Sequence, residues 1–188
     1  MDDLVLAALK KWPSVPACYG WLGLDARGDW YLRDARTQHA GRFPQVKGSR
    51  IDHALLKGFI ERNYAATPEG EWFFQNGPQC VFVELEASPW IWRVQAATYD
   101  GGAPAGWSVA THTGLPAQVA GCWLDEHDRL YLHTDRGLGL VHTLDMGPAA
   151  DAIEAGAWPT PQSLTARDLQ SRFGVVLSPA DAHGGASM

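Results

Sequence analysis

Apolar and polar positions alternate in short runs over most of this chain, with the period of strands rather than helices. The clearest runs form a matched pair. Residues 20 to 32 read GWLGLDARGDWYL and residues 120 to 132 read AGCWLDEHDRLYL, so Leu24, Asp25, Tyr31 and Leu32 recur as Leu124, Asp125, Tyr131 and Leu132. Each segment sets two apolar runs around a polar turn, which predicts two hairpins and a chain built from two related halves.

The rest of the pattern fills in around them. Leu4, Leu6, Ala8, Leu9 and Trp12 give a short helix over residues 2 to 12 that Pro13 ends. Residues 35 to 48, rich in Gly, Pro, Gln and basic side chains, read as a long loop. Ser49 followed by Asp52 matches a capping box, and Ile51, Leu55, Phe59 and Ile60 share a helical face, so a helix is expected over residues 50 to 63. Strands EWFFQ and QCVFVELE meet at Asn76-Gly77, a strong hairpin signal because both residues tolerate positive φ. In the strand WIWRVQA, Trp90 and Trp92 share a face with Val94, opposite Arg93.

The segment Asp100 to Gly106, DGGAPAG, is too small-sided to pack and marks a domain boundary. Beyond it WSVATH, QVAGCWL, RLYLHT and LGLVHTL read as an antiparallel set. Pro148 and Gly156 bracket a short helix, and Thr165 with Asp168 caps another that ends at Gly174. The tail SPADAHGGASM reads as loosely held. The expected architecture is α+β with mainly antiparallel sheets, in two small related domains, residues 1 to 99 and 100 to 188, meeting at about residues 97 to 106.

Composition narrows the class. With 46% apolar and 19% charged residues the chain is globular. Nine tryptophans spread along it are expected to fill two cores and the seam between them. Cys18, Cys80 and Cys122 are odd in number and widely spaced, so neither a disulfide framework nor a cysteine zinc site is indicated and a reducing cytoplasm fits. The opening MDDLVLAALKKW is acidic before its apolar stretch and basic after it, the reverse of a secretory signal, and too short to span a bilayer. The net charge of -6 argues against non-specific nucleic-acid binding. Basic residues nevertheless gather between Arg27 and Lys57, where an anion site is one reading and solvated loop charges the other.

Several short motifs carry a resemblance. They are the Gly28-x-Trp30 turn, the helix around Ile51 to Ile60, the Gly70-x-Trp72 hairpin, Val81-x-Val83-Glu84 leading to Pro89-Trp90, and the closing Arg172-Phe173-Gly174-Val175. In this order the chain resembles a proteobacterial family of unknown function with a duplicated two-domain core, the second domain similar to a pleckstrin-homology fold. The resemblance implies a ligand surface between the domains, a signalling role, and a nucleotide-like or nucleic-acid ligand. It carries no catalytic residues.

Among residues that could hold chemistry, His133 and His142 flank the turn at Asp135 to Gly137, and with His112 or Cys122 could form a metal site. Gly137-Leu138-Gly139 is half a phosphate-loop pattern but follows a hairpin turn instead of opening a helix, and reads as a turn. Cys80 and Cys122 lie in apolar strands, where burial raises a thiol pKa. Glu84 and Glu86 share one strand face, as an acid-base pair or simply as its wet side. Trp90, Trp92 and Arg93 could stack on and grip a ring and its phosphate, or be core. The expected function is a non-catalytic bacterial binding or regulatory protein with no cofactor. It would recognise an anionic small molecule or a protein partner at the domain interface through Arg33, Arg50, Trp90, Trp92, Arg93 and His133. The rival is a metal-dependent or acid-base enzyme centred on His133 and His142. An interaction module exposing an apolar tryptophan patch is the third reading.

Overall fold

The computed structural model describes residues 1–97 and 106–184. In chain order the elements are helix α1 (Asp3–Lys11), strands β1 (Cys18–Leu24) and β2 (Trp30–Leu32), helix α2 (Ala35–Ala40), strand β3 (Ser49–Arg50), helix α3 (Ala54–Arg62) and strands β4 (Tyr64–Ala66), β5 (Trp72–Asn76), β6 (Gln79–Leu85), β7 (Trp90–Ala97) and β8 (Gly106–Thr111). Strands β9 (Pro116–Ala117), β10 (Val119–Leu124), β11 (Leu130–Thr134) and β12 (Gly137–Val141) follow, then helix α4 (Met146–Glu154), strand β13 (Gln162–Ser163) and helices α5 (Ala166–Phe173) and α6 (Pro179–Ala182). Among the described residues no helix is long and apolar enough to cross a membrane.

The chain forms two units. One holds Met1–Asp25, Asp29–Ala87 and the residues from Gly174 on; the other holds Ala26–Gly28 and Ser88–Phe173. The first has a six-stranded sheet ordered β3-β2-β1-β6-β5-β4, the second a seven-stranded sheet ordered β13-β10-β11-β12-β7-β8-β9. Pairing is mainly antiparallel, with parallel contacts at β1–β6, β10–β13 and β12–β7, so the fold is α+β. Residues 98–105, which hold most of the expected boundary segment, lie outside the described residues. The strand over Trp90–Ala97, expected at the end of the first domain, is instead part of the second unit's sheet, paired with β12 and β8.

The matched segments form the hairpins β1–β2 and β10–β11 in the same register, 100 positions apart. Gly23 faces Tyr31 and Leu24 faces Trp30; Trp123 faces Tyr131 and Leu124 faces Leu130. Each hairpin gains a parallel strand beside its first strand, β6 or β13, and an antiparallel strand beside its second, β3 or β12. A common four-strand unit, β3-β2-β1-β6 and β12-β11-β10-β13, therefore lies in both sheets. The first sheet extends beyond β6 and the second beyond β12.

Local chemistry explains where the elements depart from the sequence pattern. The helix expected from residue 50 starts at Ala54, because Ser49 and Arg50 join the ladder opposite Leu32 and Tyr31 and the Ile51 N–H donates to Trp30 O at 2.8 Å. The Ser49/Asp52 box is thus displaced, and His53 caps the helix, its Nδ1 accepting the Leu56 N–H at 3.3 Å. The stretch 35–48 is not all loop: the Asp34 carboxylate accepts the Thr37 N–H at 2.8 Å and starts α2. The Thr165/Asp168 box forms as expected, with Thr165 Oγ1 2.7 Å from Asp168 Oδ2 and accepting the Asp168 N–H at 3.1 Å. The tail differs, since residues 178 to 183 fold into α6 and its caps against the first sheet.

Trp30, Trp90, Trp92, Trp123 and Trp158 are buried, and with Leu24, Val83, Ile91, Leu132 and Leu169 they build the two cores. Trp12 and Trp21, expected inside, are half-exposed at 51% and 42%. Gly139 owes its identity to this packing, since a Cβ there would lie 2.3 Å from Trp92 Nε1. That close approach accounts for the Gly137-Leu138-Gly139 run inside a strand.

Candidate functional site

An apolar cavity of about 400 Å³ opens in the first unit, between one face of the sheet and α3. Leu22, Phe74 and Val81 from three adjacent strands form its floor, and Leu56 and Ile60, four apart on α3, form a wall. Leu32 and Ile51 close one end; Cys18, Asn76 and Gln79 make the other end polar.

The opening depends on an irregularity in β1. Cys18 pairs with Val81 and Leu22 with Val83, so four residues of β1 span two of β6. Gly20 sits in this bulge at φ 75°, and a Cβ on it would lie 2.8 Å from Gln38 Oε1. Strict alternation would put Trp21 on the opposite face from Leu22. The bulge turns both to the cavity, leaving Trp21 at its edge with Leu32 and Leu56, which are 52% and 44% exposed. At the polar end Gln79 Nε2 donates to Cys18 Sγ at 2.9 Å. Cys80, the next residue, has its thiol pushed up to about 11 by burial, with Cys18 and Glu71 adding to the rise.

None of the six residues picked from sequence lines this cavity. Arg33 and Arg50 fall in the first unit and Trp90, Trp92, Arg93 and His133 in the second. Arg33 is buried and gives its donors to the carbonyls of Val46 at 3.2 Å, Gly20 at 3.1 Å and Gly41 at 2.6 Å, stapling the α2–β3 connection to β1. Arg50 is exposed and pairs with Asp52 at 2.8 Å and Asp29 at 3.4 Å. Trp90 and Trp92 are buried with Nε1 donating to Arg136 O at 2.8 Å and Leu132 O at 3.0 Å. Arg93, on the opposite face, grips Asp145 at 2.6 Å, and that carboxylate also accepts the Val94 N–H at 3.0 Å. His133 stacks on Phe173 with centroids 4.6 Å apart.

The groups considered for catalysis are bonded separately. His142 Nδ1 accepts the Leu144 N–H at 3.1 Å and His112 Nδ1 the Ile91 N–H at 3.3 Å. Burial pushes the Cys122 thiol up to about 11. Among the described residues no three His, Cys, Asp or Glu side chains gather as a metal site. Glu84 is buried and accepts from Ser178, while Glu86 meets Lys47 Nζ at 2.7 Å. The cavity was missed in the sequence because its best signal, the tolerance of Gly20 for positive φ, looks like any turn glycine.

Fold and cavity together define a two-sheet α+β protein with an apolar pocket in its first unit. The chain belongs to the DUF2944 family, whose model, described as "Protein of unknown function (DUF2946)", matches residues 1–180. This agrees with the family of unknown function suggested by its motifs. Among solved structures, it is similar to a DUF1285 family protein from Shewanella baltica OS155, at 18% identity and a TM-score of 0.46, over 70% of this chain and 91% of that one. It is also similar to a DUF1285 family protein from Silicibacter pomeroyi DSS-3, at 13% identity and a TM-score of 0.48, over 80% of this chain and 84% of that one. No curated protein matches it.

Proposed function

We propose that this protein is a binding module without chemistry of its own, and that its first unit takes a largely apolar small molecule with one hydrogen-bonding end. The observation that carries this is the cavity of about 400 Å³ with apolar walls and a polar end at Cys18, Asn76 and Gln79. Its size falls within the roughly 300–1,000 Å³ of small-molecule sites, which pair apolar walls with a few orienting polar groups. A neutral head fits better than an anion, because neither Arg33 nor Arg50 lines the cavity and both are bonded elsewhere. A regulatory role suits such a module, since an occupant spanning the floor and Leu56 would tie α3 to the sheet.

The test is a thermal-shift and tryptophan-fluorescence titration with straight-chain and aromatic alcohols, beside carboxylates of matched length. The expected result is saturable binding of alcohols over carboxylates, with Tm rising by mass action, about 2.7 kcal/mol of added stability at a hundredfold excess over Kd. Leu56→Asp, at a half-exposed wall position, abolishes it while leaving the fold intact. Preference for carboxylates would restore the anionic reading. Binding by no member of the panel, or binding unchanged in Leu56→Asp, would remove the pocket from the function.

A further inference from the structure

We propose that the cavity of the first unit opens onto a lipid surface, with Trp21, Leu32, Leu55 and Leu56 seated among the headgroups. This rests on the binding reading above and deepens it. A cavity built for an apolar molecule needs a source of one, and a bilayer concentrates such molecules where water excludes them. The rim carries the inference. Trp21, Leu32 and Leu56 line the cavity and are half-exposed, and Leu55, beside Leu56 on α3, lies outside the lining with 80% of its surface open.

The duplicated hairpin shows that the sheet itself does not require this exposure. Leu22 faces Leu32 across β1–β2 as Cys122 faces Leu132 across β10–β11. Leu22 and Cys122 are buried alike, and Leu132 is closed off at 0%, but Leu32 stands open. The second unit covers this position with its own chain, whereas the first leaves it bare at the mouth of a cavity. Single exposed leucines are ordinary; four large apolar side chains gathered at one opening mark a contact surface.

The charges beside the rim select the partner. Arg50, next to Ile51, is paired with Asp52 at 2.8 Å and Asp29 at 3.4 Å, and Lys57, next to Leu56, lies 3.8 Å from Glu61. These charges cancel locally, so they offer little to a strongly charged protein or nucleic-acid partner, which is recognised by a complementary field. A neutral border round an apolar patch matches a zwitterionic headgroup layer. There leucine and tryptophan side chains bury their apolar mass at the acyl boundary, and binding scales with the area buried. Binding of this kind depends little on salt, because no long-range charge attraction is there to be screened.

Flotation of the full chain with phosphatidylcholine vesicles, with and without phosphatidylglycerol, tests this, together with quenching of tryptophan fluorescence by brominated acyl chains. The expected result is binding to both vesicle types that persists in salt, with quenching reduced in Trp21→Phe. Leu55→Asp weakens vesicle binding by about tenfold, the loss of one leucine's burial. It leaves the binding of alcohols in solution unchanged, because Leu55 lies outside the cavity lining. Leu144→Asp, at a comparably exposed position in the second unit, changes neither. A chain that binds alcohols but neither vesicle overturns this inference and leaves the pocket standing; one that binds neither alcohols nor vesicles overturns both. Binding confined to phosphatidylglycerol vesicles and lost in salt, or weakened as much by Leu144→Asp as by Leu55→Asp, places the contact away from the rim and overturns the inference. So does a dimer in light scattering that Leu55→Asp dissolves, which would give the rim to a second copy of the chain.

Discussion

The two hairpins share a register and a turn, yet each holds that turn in a different way. In the second, the partners of the turn carboxylate are local, although the neighbouring Glu126 also accepts the distant Ala166 N–H at 2.7 Å: the Asp125 carboxylate accepts the His127 and Arg129 N–H groups at 2.9 Å each, and Arg129 Nε meets its other oxygen at 2.7 Å. The Arg129 guanidinium also lies over the Tyr131 ring at 5.8 Å, and Trp123 on the strand supplies the aromatic mass. In the first hairpin the carboxylate keeps its turn bond, from the Asp29 N–H at 3.0 Å, but its cation is imported: Lys47, 22 residues on, reaches Asp25 at 3.0 Å and lies 5.5 Å from the Tyr31 centroid. The aromatic is imported too. Position 23 is glycine, and the space a Cβ would enter is taken by the Phe43 ring at 2.6 Å. One connection, residues 41 to 48, thus supplies to the first hairpin both groups that the second encodes itself. A turn held by its own residues is stable wherever its strand pair is; one held by a loop makes that loop part of the fold.

The largest break in the comparison comes from the aromatics. Trp123→Ala removes a buried side chain from the second core and should cost about 3–5 kcal/mol. Phe43→Ala removes a half-buried ring on a connection and should cost about 1–2 kcal/mol, with loss of exchange protection confined to residues 41 to 48. Urea denaturation read by circular dichroism measures both. Equal costs would mean that Phe43 and Trp123 are not counterparts.

The carboxylates come next. Asp125→Ala leaves two turn N–H groups without their acceptor and the Arg129 guanidinium without its close partner, for about 2–3 kcal/mol. Asp25→Ala should cost less, about 1–2 kcal/mol, because Lys47 keeps Glu86 at 2.7 Å. Acid separates them further. Burial alone would raise the Asp125 carboxyl, but its bonds to the Arg129 and His127 N–H groups and the Arg129 side chain together hold it below the usual value. A depressed carboxyl stabilises the fold above its unfolded-state pKa and loses that contribution as pH falls through the folded value. Asp125→Asn should therefore flatten part of the stability loss below about pH 4, where an ordinary aspartate takes up its proton. An unchanged acid limb in that variant would place the loss elsewhere.

How much of this the sequence carried depended on range. The hairpins, the Asn76-Gly77 turn and the Thr165/Asp168 cap were legible because a handful of adjacent residues determines each. The Ser49/Asp52 box had the same local signal and failed, because Leu32 and Tyr31, distant in sequence, claimed its backbone for a strand. The import of Lys47 and Phe43, the carbonyl staple made by Arg33 and the bulge that opens the cavity are all long-range, and residues 35 to 48 read only as a long, basic loop for that reason. Charge and aromaticity drew notice to Arg33, Trp90 and Trp92 as ligand groups; burial inside their own units uses the same properties for packing and carbonyl bonding.

The smallest effect sharpens the comparison most. Lys47→Ala removes a partly exposed cation from two carboxylates and should cost about 1 kcal/mol. Position 29 corresponds to Arg129, whose guanidinium reaches its own turn carboxylate from four residues away. Adding Asp29→Arg to Lys47→Ala therefore gives the first hairpin the local solution of the second. It also replaces the exposed Asp29–Arg50 pair, 3.4 Å apart, with two like charges, a modest solvent-screened cost that keeps the recovery partial while Arg50 retains Asp52 at 2.8 Å. The double variant should recover about half the lost stability by urea denaturation, while residues 41 to 48 stay as open to exchange as in Lys47→Ala, because the new cation holds the turn and no longer the loop. If stability and loop protection return together, the cation acts through the loop and the two turns are not interchangeable. If neither returns, the first turn cannot seat an arginine, and the shared register does not extend to the side chains.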